Sequence, residues 1–283
     1  MSTRRIGTVG VIWGIILFCL LCFGLTCSRS DKESVEDESK LADTTKSQVV
    51  QAYGKLPLSF TENRGQMAEP VRFYIRGPRG TVYYTPEEVV YDVVEKTAEP
   101  KRTKLPEERD EIVSSDTTFR RKGVVVRMRF LGANSSVVLE GIDELEGKVN
   151  IFRGKDPSQW KTGIRTFRGI IYRDLYPGVD LMYHGQDGRL THRLTIEPEG
   201  EVRDVVFRYE GADQIEVDAS GNLRIKTALG TITEPKPYLY QEKAGKKIKV
   251  EGGYRTLGRD AVGFSAKKYQ GNLPLIISMG VDH

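Results

Sequence analysis

From Val71 onward, apolar side chains recur at every second position. Val71, Phe73 and Ile75 alternate with Arg72, Tyr74 and Arg76. Val124, Val126, Met128 and Phe130 alternate with Val125, Arg127, Arg129 and Leu131. A period of two places the two sets on opposite faces of an extended chain, which predicts half-buried β-strands. The same reading gives strands at Val82–Thr85, Val89–Val94, Val137–Glu140, Val149–Phe152 and Phe167–Tyr172. The last hundred residues add runs at 179–183, 190–196, 202–209, 214–217, 223–226, 230–233, 238–241, 248–255, 262–266 and 275–277. Turn residues separate them every eight to twelve positions or so, the spacing of an antiparallel sandwich or barrel. No stretch of this region holds a 3.6-residue period. The one short helical turn expected is at Asp156-Pro157-Ser158, where Asp suits the cap and Pro the first position.

Three stretches depart from alternation. Arg4 and Arg5 precede an uncharged run from Ile6 to Thr26, the pattern of a secretory leader or of a helix long enough to span a bilayer. Three fates are open to residues 1–27: acylation at Cys27 as a lipoprotein, cleavage near residues 26–28, or retention as an anchor. Gly24-Leu25-Thr26 is a poor lipobox, since Leu is preferred three places before the cysteine. Residues 28–50 carry six acids and four bases with almost no apolar periodicity, which reads as a disordered tether or, alternatively, a short exposed helix over 36–46. Residues 95–122 hold eight bases, seven acids and two prolines, and are expected to form a long surface loop. The domain reading is therefore a leader (1–27), a tether (28–50), a first β-rich unit (51–160) containing the loop, and a second β-rich unit (161–283). The fold class is all-β, antiparallel and sandwich-like, with the two units packed as separate sandwiches or as one extended one.

Composition narrows the function classes. The 283 residues are 39% hydrophobic and 29% charged, enough apolar surface for a sizeable core. A formal charge of +4 spread over the chain gives no clustered basic face of the kind nucleic acid requires. All three cysteines, Cys19, Cys22 and Cys27, lie in the leader, so the remainder has no disulfide, thiolate cluster or cysteine nucleophile.

Candidate chemistry is sparse. Glu62-Asn63-Arg64-Gly65-Gln66 gathers a carboxylate, a guanidinium and two amides. These residues could contact a sugar, with Glu62, Asn63, Arg64 and Gln66 as the contacts, or knit a loop through their own hydrogen bonds. Tyr238 and Tyr240 have strand spacing and should share a face, where aromatic rings suit a glycan or a protein surface. His184 and His192 flank a hairpin signal at Gly185-Gln186-Asp187-Gly188. An even loop puts them on opposite faces, whereas an odd loop puts them across from each other as metal ligands would be. Asp218-Ala219-Ser220-Gly221-Asn222 reads as a hairpin turn or a degenerate calcium loop without its distal glutamate. There is no G-x-S-x-G, no phosphate loop and no motif for a metal or other cofactor.

Four segments carry a resemblance: LPLSFTENRGQ (56–66), KVNIFRGKDPSQWKTGIRTF (148–167), YRDLYPGVDLMYHG (172–185) and EPKPYLYQE (234–242). Together they resemble a domain of unknown function at the N-terminal end of large exported bacterial proteins. Those proteins carry SBBP-type β-propeller repeats or gliding-type secretion sorting modules. The resemblance covers residues 56–277 and implies an all-β extracellular module with no assigned catalytic residues. A relative would continue into its repeats where this sequence reaches Ser278–His283, which suggests a stand-alone or truncated member. The function expected is a non-catalytic extracytoplasmic module at the cell envelope, with a structural, adhesive or ligand-binding role. Its partners would be an envelope protein or a glycan, with the membrane met through the N-terminus. The alternatives are a hydrolase acting on envelope polysaccharide, which needs two facing carboxylates across a cleft, and a strand-lending partner with an unpaired sheet edge.

Overall fold

A computed structural model describes residues 58–280, apart from 78–79, 101–116 and 187. The leader, Cys27 and the tether lie outside the described residues. Among the described residues there are nineteen strands and two short 3-10 turns. The first strands are β1 (Phe60–Glu62), β2 (Phe73–Gly77), β3 (Gly80–Tyr84), β4 (Glu88–Pro100), β5 (Thr117–Phe130), β6 (Val138–Glu144) and β7 (Val149–Ile151). Then follow β8 (Lys161–Ile164), β9 (Thr166–Tyr176), β10 (Val179–Gln186), β11 (Arg189–Ile196), β12 (Val206–Glu210), β13 (Gln214–Val217) and β14 (Leu223–Thr227). The last are β15 (Gly230–Glu234), β16 (Tyr238–Lys243), β17 (Lys246–Leu257), β18 (Ala261–Lys267) and β19 (Leu275–Met279). The all-β, antiparallel reading of the sequence is the architecture observed.

One ladder takes in fourteen strands in the order β1-β2-β3-β4-β5-β12-β18-β17-β16-β19-β11-β10-β9-β6, and β1 pairs again with β9. Phe167 of β9 lies opposite both Phe60 and Glu144, and Ile170 opposite both Tyr183 and Gly141. β9 therefore has β6 along one edge, and β10 followed by β1 along the other. A strand shared in this way lets the ladder return on itself and enclose its apolar face. Two small sheets, β13-β14-β15 and β7-β8, complete the fold. Residues from both 51–160 and 161–283 contribute to one hydrophobic core.

Alternation sets which side chains enter it. On β5, Val126, Met128 and Phe130 are buried while Val125, Arg127 and Arg129 are exposed. On β10, Val179, Leu181 and Tyr183 face inward, matched by His192, Leu194 and Ile196 across the ladder. Rings then form a continuous row through the interior. The centroid separations are Phe60–Tyr84 5.3 Å, Tyr84–Tyr183 5.1 Å, Tyr183–Tyr172 6.3 Å, Tyr172–Phe130 5.2 Å, Phe130–Phe207 5.7 Å, Phe207–Phe264 5.8 Å and Phe264–Tyr254 5.5 Å. Each such pair adds about 0.5–1.5 kcal/mol beyond the area it buries.

Several local features differ from the sequence reading. Strands run into the charged stretch 95–122: β4 and β5 stay in register as far as Pro100↔Thr117, with Glu95 opposite Lys122. Opposite charges across an antiparallel pair support the ladder where apolar alternation has ended. Glu62, read as a loop residue, closes β1, and β8 was not foreseen. The run expected from Val202 opens with a 3-10 turn over Val202–Asp204 before β12. The turn at Pro157–Gln159 forms as expected, with the Asp156 carboxylate accepting from the Ser158 amide.

Candidate functional site

The loop after β1 is knitted by its own amides. Asn63 Nδ2 donates to the carbonyls of Val71 (2.7 Å), Ala68 (3.0 Å) and Met67 (3.3 Å), and its Oδ1 accepts from the amides of Gly65 and Met67. Gln66 Nε2 donates to Glu62 O at 2.5 Å, and its Oε1 accepts from Arg64 N at 2.7 Å. The Glu62 carboxylate takes two parallel bonds from Arg165, from Nε at 3.1 Å and Nη2 at 2.6 Å, with Arg64 Nε 3.9 Å away. Asn63 and Gln66 thus hold the loop over Tyr74, and Glu62 joins β1 to the start of β9. Of the four residues, Arg64 is the one whose charged end is turned to solvent.

The histidine question is settled by register. Gln186 pairs with Arg189, leaving two residues at the hairpin tip, so Tyr183 faces His192 and His184 faces Thr191. The histidines therefore lie on opposite sides of the sheet. His192 is buried, stacked on Tyr183 at 5.2 Å, with Nε2 3.6 Å from Glu234 Oε2. Burial lowers its pKa, and the Glu234 carboxylate only partly opposes that. Tyr254 OH donates to the same Glu234 oxygen at 3.3 Å. This interior grouping of Glu234, His192 and Tyr254 was not foreseen, because its members are far apart in sequence and only closure of the ladder brings them together.

In the Asp218 turn, the carboxylate accepts from the amides of Ser220 and Asn222 and from Asn222 Nδ2, while Asn222 Oδ1 accepts from Lys236 N. These bonds hold the Asp218 carboxyl below its usual pKa range. Among the described residues, no three His, Cys, Asp or Glu side chains gather as metal ligands.

The outer face of β16 and β17 has a different character. Tyr238 and Tyr240 lie side by side, centroids 5.5 Å apart, as their spacing predicts. Across the hairpin, Tyr240 pairs with Lys249 and Glu242 with Lys247. The strand twist carries each lysine diagonally back. Lys247 Nζ lies 4.5 Å above the Tyr240 ring and Lys249 Nζ 6.0 Å from that of Tyr238. Ring quadrupoles favour an ammonium in this position. Tyr240 is only 5% exposed, so this ring seats a cation and offers no open stacking platform.

Two shallow depressions flank this ridge. One, of about 530 Å³, includes Lys236, Tyr238, Lys249 and Glu251. The other, of about 570 Å³, includes Tyr240, Lys247, Arg193, His184 and Asp143. Arg193 is the unusual member. Its Nε is buried with no hydrogen-bond partner among the described residues, and its Nη2 reaches only the Met182 sulfur at 3.6 Å. No carboxylate lies within ion-pair distance of Arg193, Lys247 or Lys249 among the described residues. Glu251, by contrast, is held by Lys267 at 2.8 Å, which depresses its pKa. The face thus gathers one partly buried guanidinium, Arg193, and the exposed ammonium groups of Lys247 and Lys249, none within ion-pair distance of a carboxylate among the described residues. Sequence reasoning singled out the two tyrosines but not Arg193, which arrives from β11 through the intervening β19.

No curated protein and no solved structure shows a detectable match to the chain. A family model does match, over residues 60–278, from the start of β1 into β19. The chain belongs to this family, a domain of unknown function designated DUF7948.

Proposed function

We propose that the protein is a non-catalytic module of the bacterial cell envelope that binds an acidic polysaccharide on the outer face of β16 and β17. The observation carrying this reading is Arg193, a partly buried guanidinium without a carboxylate, beside Lys247 held over Tyr240. Removing a charge from water without a partner is costly, so an anionic ligand gains more here than at a fully solvated lysine. A chain of carboxylates would run from Arg193 and Lys247 along the ridge to Lys249 and Lys236. Placement outside the cytoplasm rests on the basic start and apolar run of residues 4–26, and on the likeness to exported proteins bearing propeller repeats or sorting modules.

A hydrolase acting on the same polymer would need two facing carboxylates, one kept protonated. Asp143 and Glu251 line different depressions, and Glu251 is neutralised by Lys267. Binding without cleavage is the reading these positions favour.

Titration calorimetry with oligogalacturonate, and with neutral dextran as control, tests the proposal. Salt-sensitive binding of the acidic oligomer alone is expected, weakened by roughly tenfold or more in Arg193→Ala and in Lys247→Ala. No binding, equal binding of dextran, or unchanged affinity in both variants would overturn it. Product released from the oligomer would favour the hydrolase.

A further inference from the structure

We propose a second interaction surface, the β7–β8 hairpin, which docks on an anionic lipid bilayer. This does not rest on the polysaccharide reading. Phe152 and Trp160 close the hairpin's neck as an edge-to-face pair, centroids 5.1 Å apart at 84°. They remain 63% and 37% exposed, two of only five large apolar side chains left exposed among the described residues.

Charge surrounds the pair on one side of the balance. Residues 148–165 hold five bases, Lys148, Arg153, Lys155, Lys161 and Arg165, and one acid, Asp156. Lys148 is taken by Glu144, and Arg165 by Glu62. Arg153, Lys155 and Lys161 have no carboxylate partner among the described residues. Asp156 is occupied in capping the turn at Ser158. Lys161 also lies against Gly65, within 3.9 Å of where a β-carbon there would sit, which brings the exposed Arg64 to the same surface.

The shape decides the occupant. None of these aromatic residues lines either depression described above. Instead they sit exposed at the loop end of a two-stranded sheet that is not paired with the main ladder. An exposed aromatic pair outside both depressions offers a rigid ligand little to enclose, but it can enter a deformable surface. Tryptophan and phenylalanine settle at the headgroup boundary, and flanking cations are drawn to anionic lipid.

The chain has two tryptophans, Trp13 and Trp160, so Trp13→Phe leaves Trp160 as a single reporter. The full-length variant is mixed with brominated vesicles of phosphatidylcholine alone or with phosphatidylglycerol. Quenching of Trp160 and a blue shift are expected only with phosphatidylglycerol. Because Arg4 and Arg5 also favour anionic lipid, the hairpin's share is read from hairpin variants that keep the N-terminal segment unchanged. Charge reversal of Arg153, Lys155 and Lys161 should weaken the partition on the order of 100-fold or more. Phe152→Ala should reduce quenching with the charges intact, and far-UV circular dichroism identifies any variant that fails to fold. Equal quenching in both lipids, none in either, or a shift produced by oligogalacturonate and not by vesicles would overturn the proposal. Because oligogalacturonate binding is read at Arg193 and Lys247, failure of one proposal leaves the other standing.

Discussion

Asn63 Nδ2 donates to the carbonyl of Val71, eight positions on, at 2.7 Å, closing the loop with one side chain. The same nitrogen faces the carbonyls of Met67 and Ala68, so three oxygens converge on it. Asn63→Asp keeps the shape but points a carboxylate oxygen at those carbonyls. We expect a loss of about 1–3 kcal/mol in urea denaturation at pH 7. The sign with pH follows: the new carboxyl has a raised pKa when folded, so its penalty is full at neutral pH. The penalty shrinks as pH falls through that pKa and the group becomes a donor again. An Asn63→Asp protein as stable as wild type at pH 7 would show that the loop is not held this way.

Tyr176 holds the start of β12. Its hydroxyl donates to Val206 O at 2.9 Å and accepts from Val206 N at 3.3 Å. The ring is buried, and burial raises the phenol pKa well beyond any working pH. Tyr176→Phe keeps the ring and removes one donor and one acceptor. A loss of about 1–2 kcal/mol is expected, with an unchanged m-value because the fold remains. Hydrogen exchange at Val206 should quicken more than at Leu194 of β11. Uniform quickening would mean that the bond has no local role.

Alternation carried most of the fold. The strands from β9 to β19 lie where period two and turn residues place them, because one face of each is buried and the other is wet. What escaped was decided by partners distant in sequence. β8 has a glycine and two polar residues in its four positions and exists through pairing with β7. The ladder continues into the charged stretch through cross-strand pairing, which a single strand's pattern does not display. The same holds for the candidate sites. Tyr238 and Tyr240 are neighbours on one strand and were legible. Arg193 and Lys247 share a depression only once β11, β19, β16 and β17 stand side by side. Glu62 looked chemically free until Arg165, 103 residues later, arrived beside it.

Gly141 is a position where a side chain has no room. A β-carbon there would lie 2.5 Å from the Phe167 ring, which covers the glycine and meets Phe73 edge-on at 5.7 Å. Gly141→Ala should cost about 1–3 kcal/mol, since the ring must leave its place or the edge strand β6 must move. The double variant Gly141→Ala/Phe167→Leu should recover part of that loss relative to Phe167→Leu alone. Additive losses would show that the ring is not the obstacle.

His192 gives the fold a defined sensitivity to acid. It sits inside the ladder against Tyr183 of β10 and Glu234 of β15, with Met279 opposite on β19. Burial lowers its pKa more than Glu234 raises it, so the folded state resists protonation that the unfolded chain accepts near pH 6.5. The unfolded state then binds more protons below that value, and stability falls with pH until the folded site itself protonates. One proton limits the slope to about 1.4 kcal/mol per pH unit. Carboxyls with depressed pKa values, such as Asp218 and Glu251, lose their contribution only at lower pH, as they protonate. Between pH 7 and 5 the decline should therefore belong to His192. His192→Phe preserves a ring against Tyr183 and removes the titration, so its stability over that interval should be nearly flat. Urea denaturation at half-unit steps separates the cases: parallel declines in both proteins would place the acid sensitivity elsewhere, whereas a decline confined to wild type locates it at this buried imidazole.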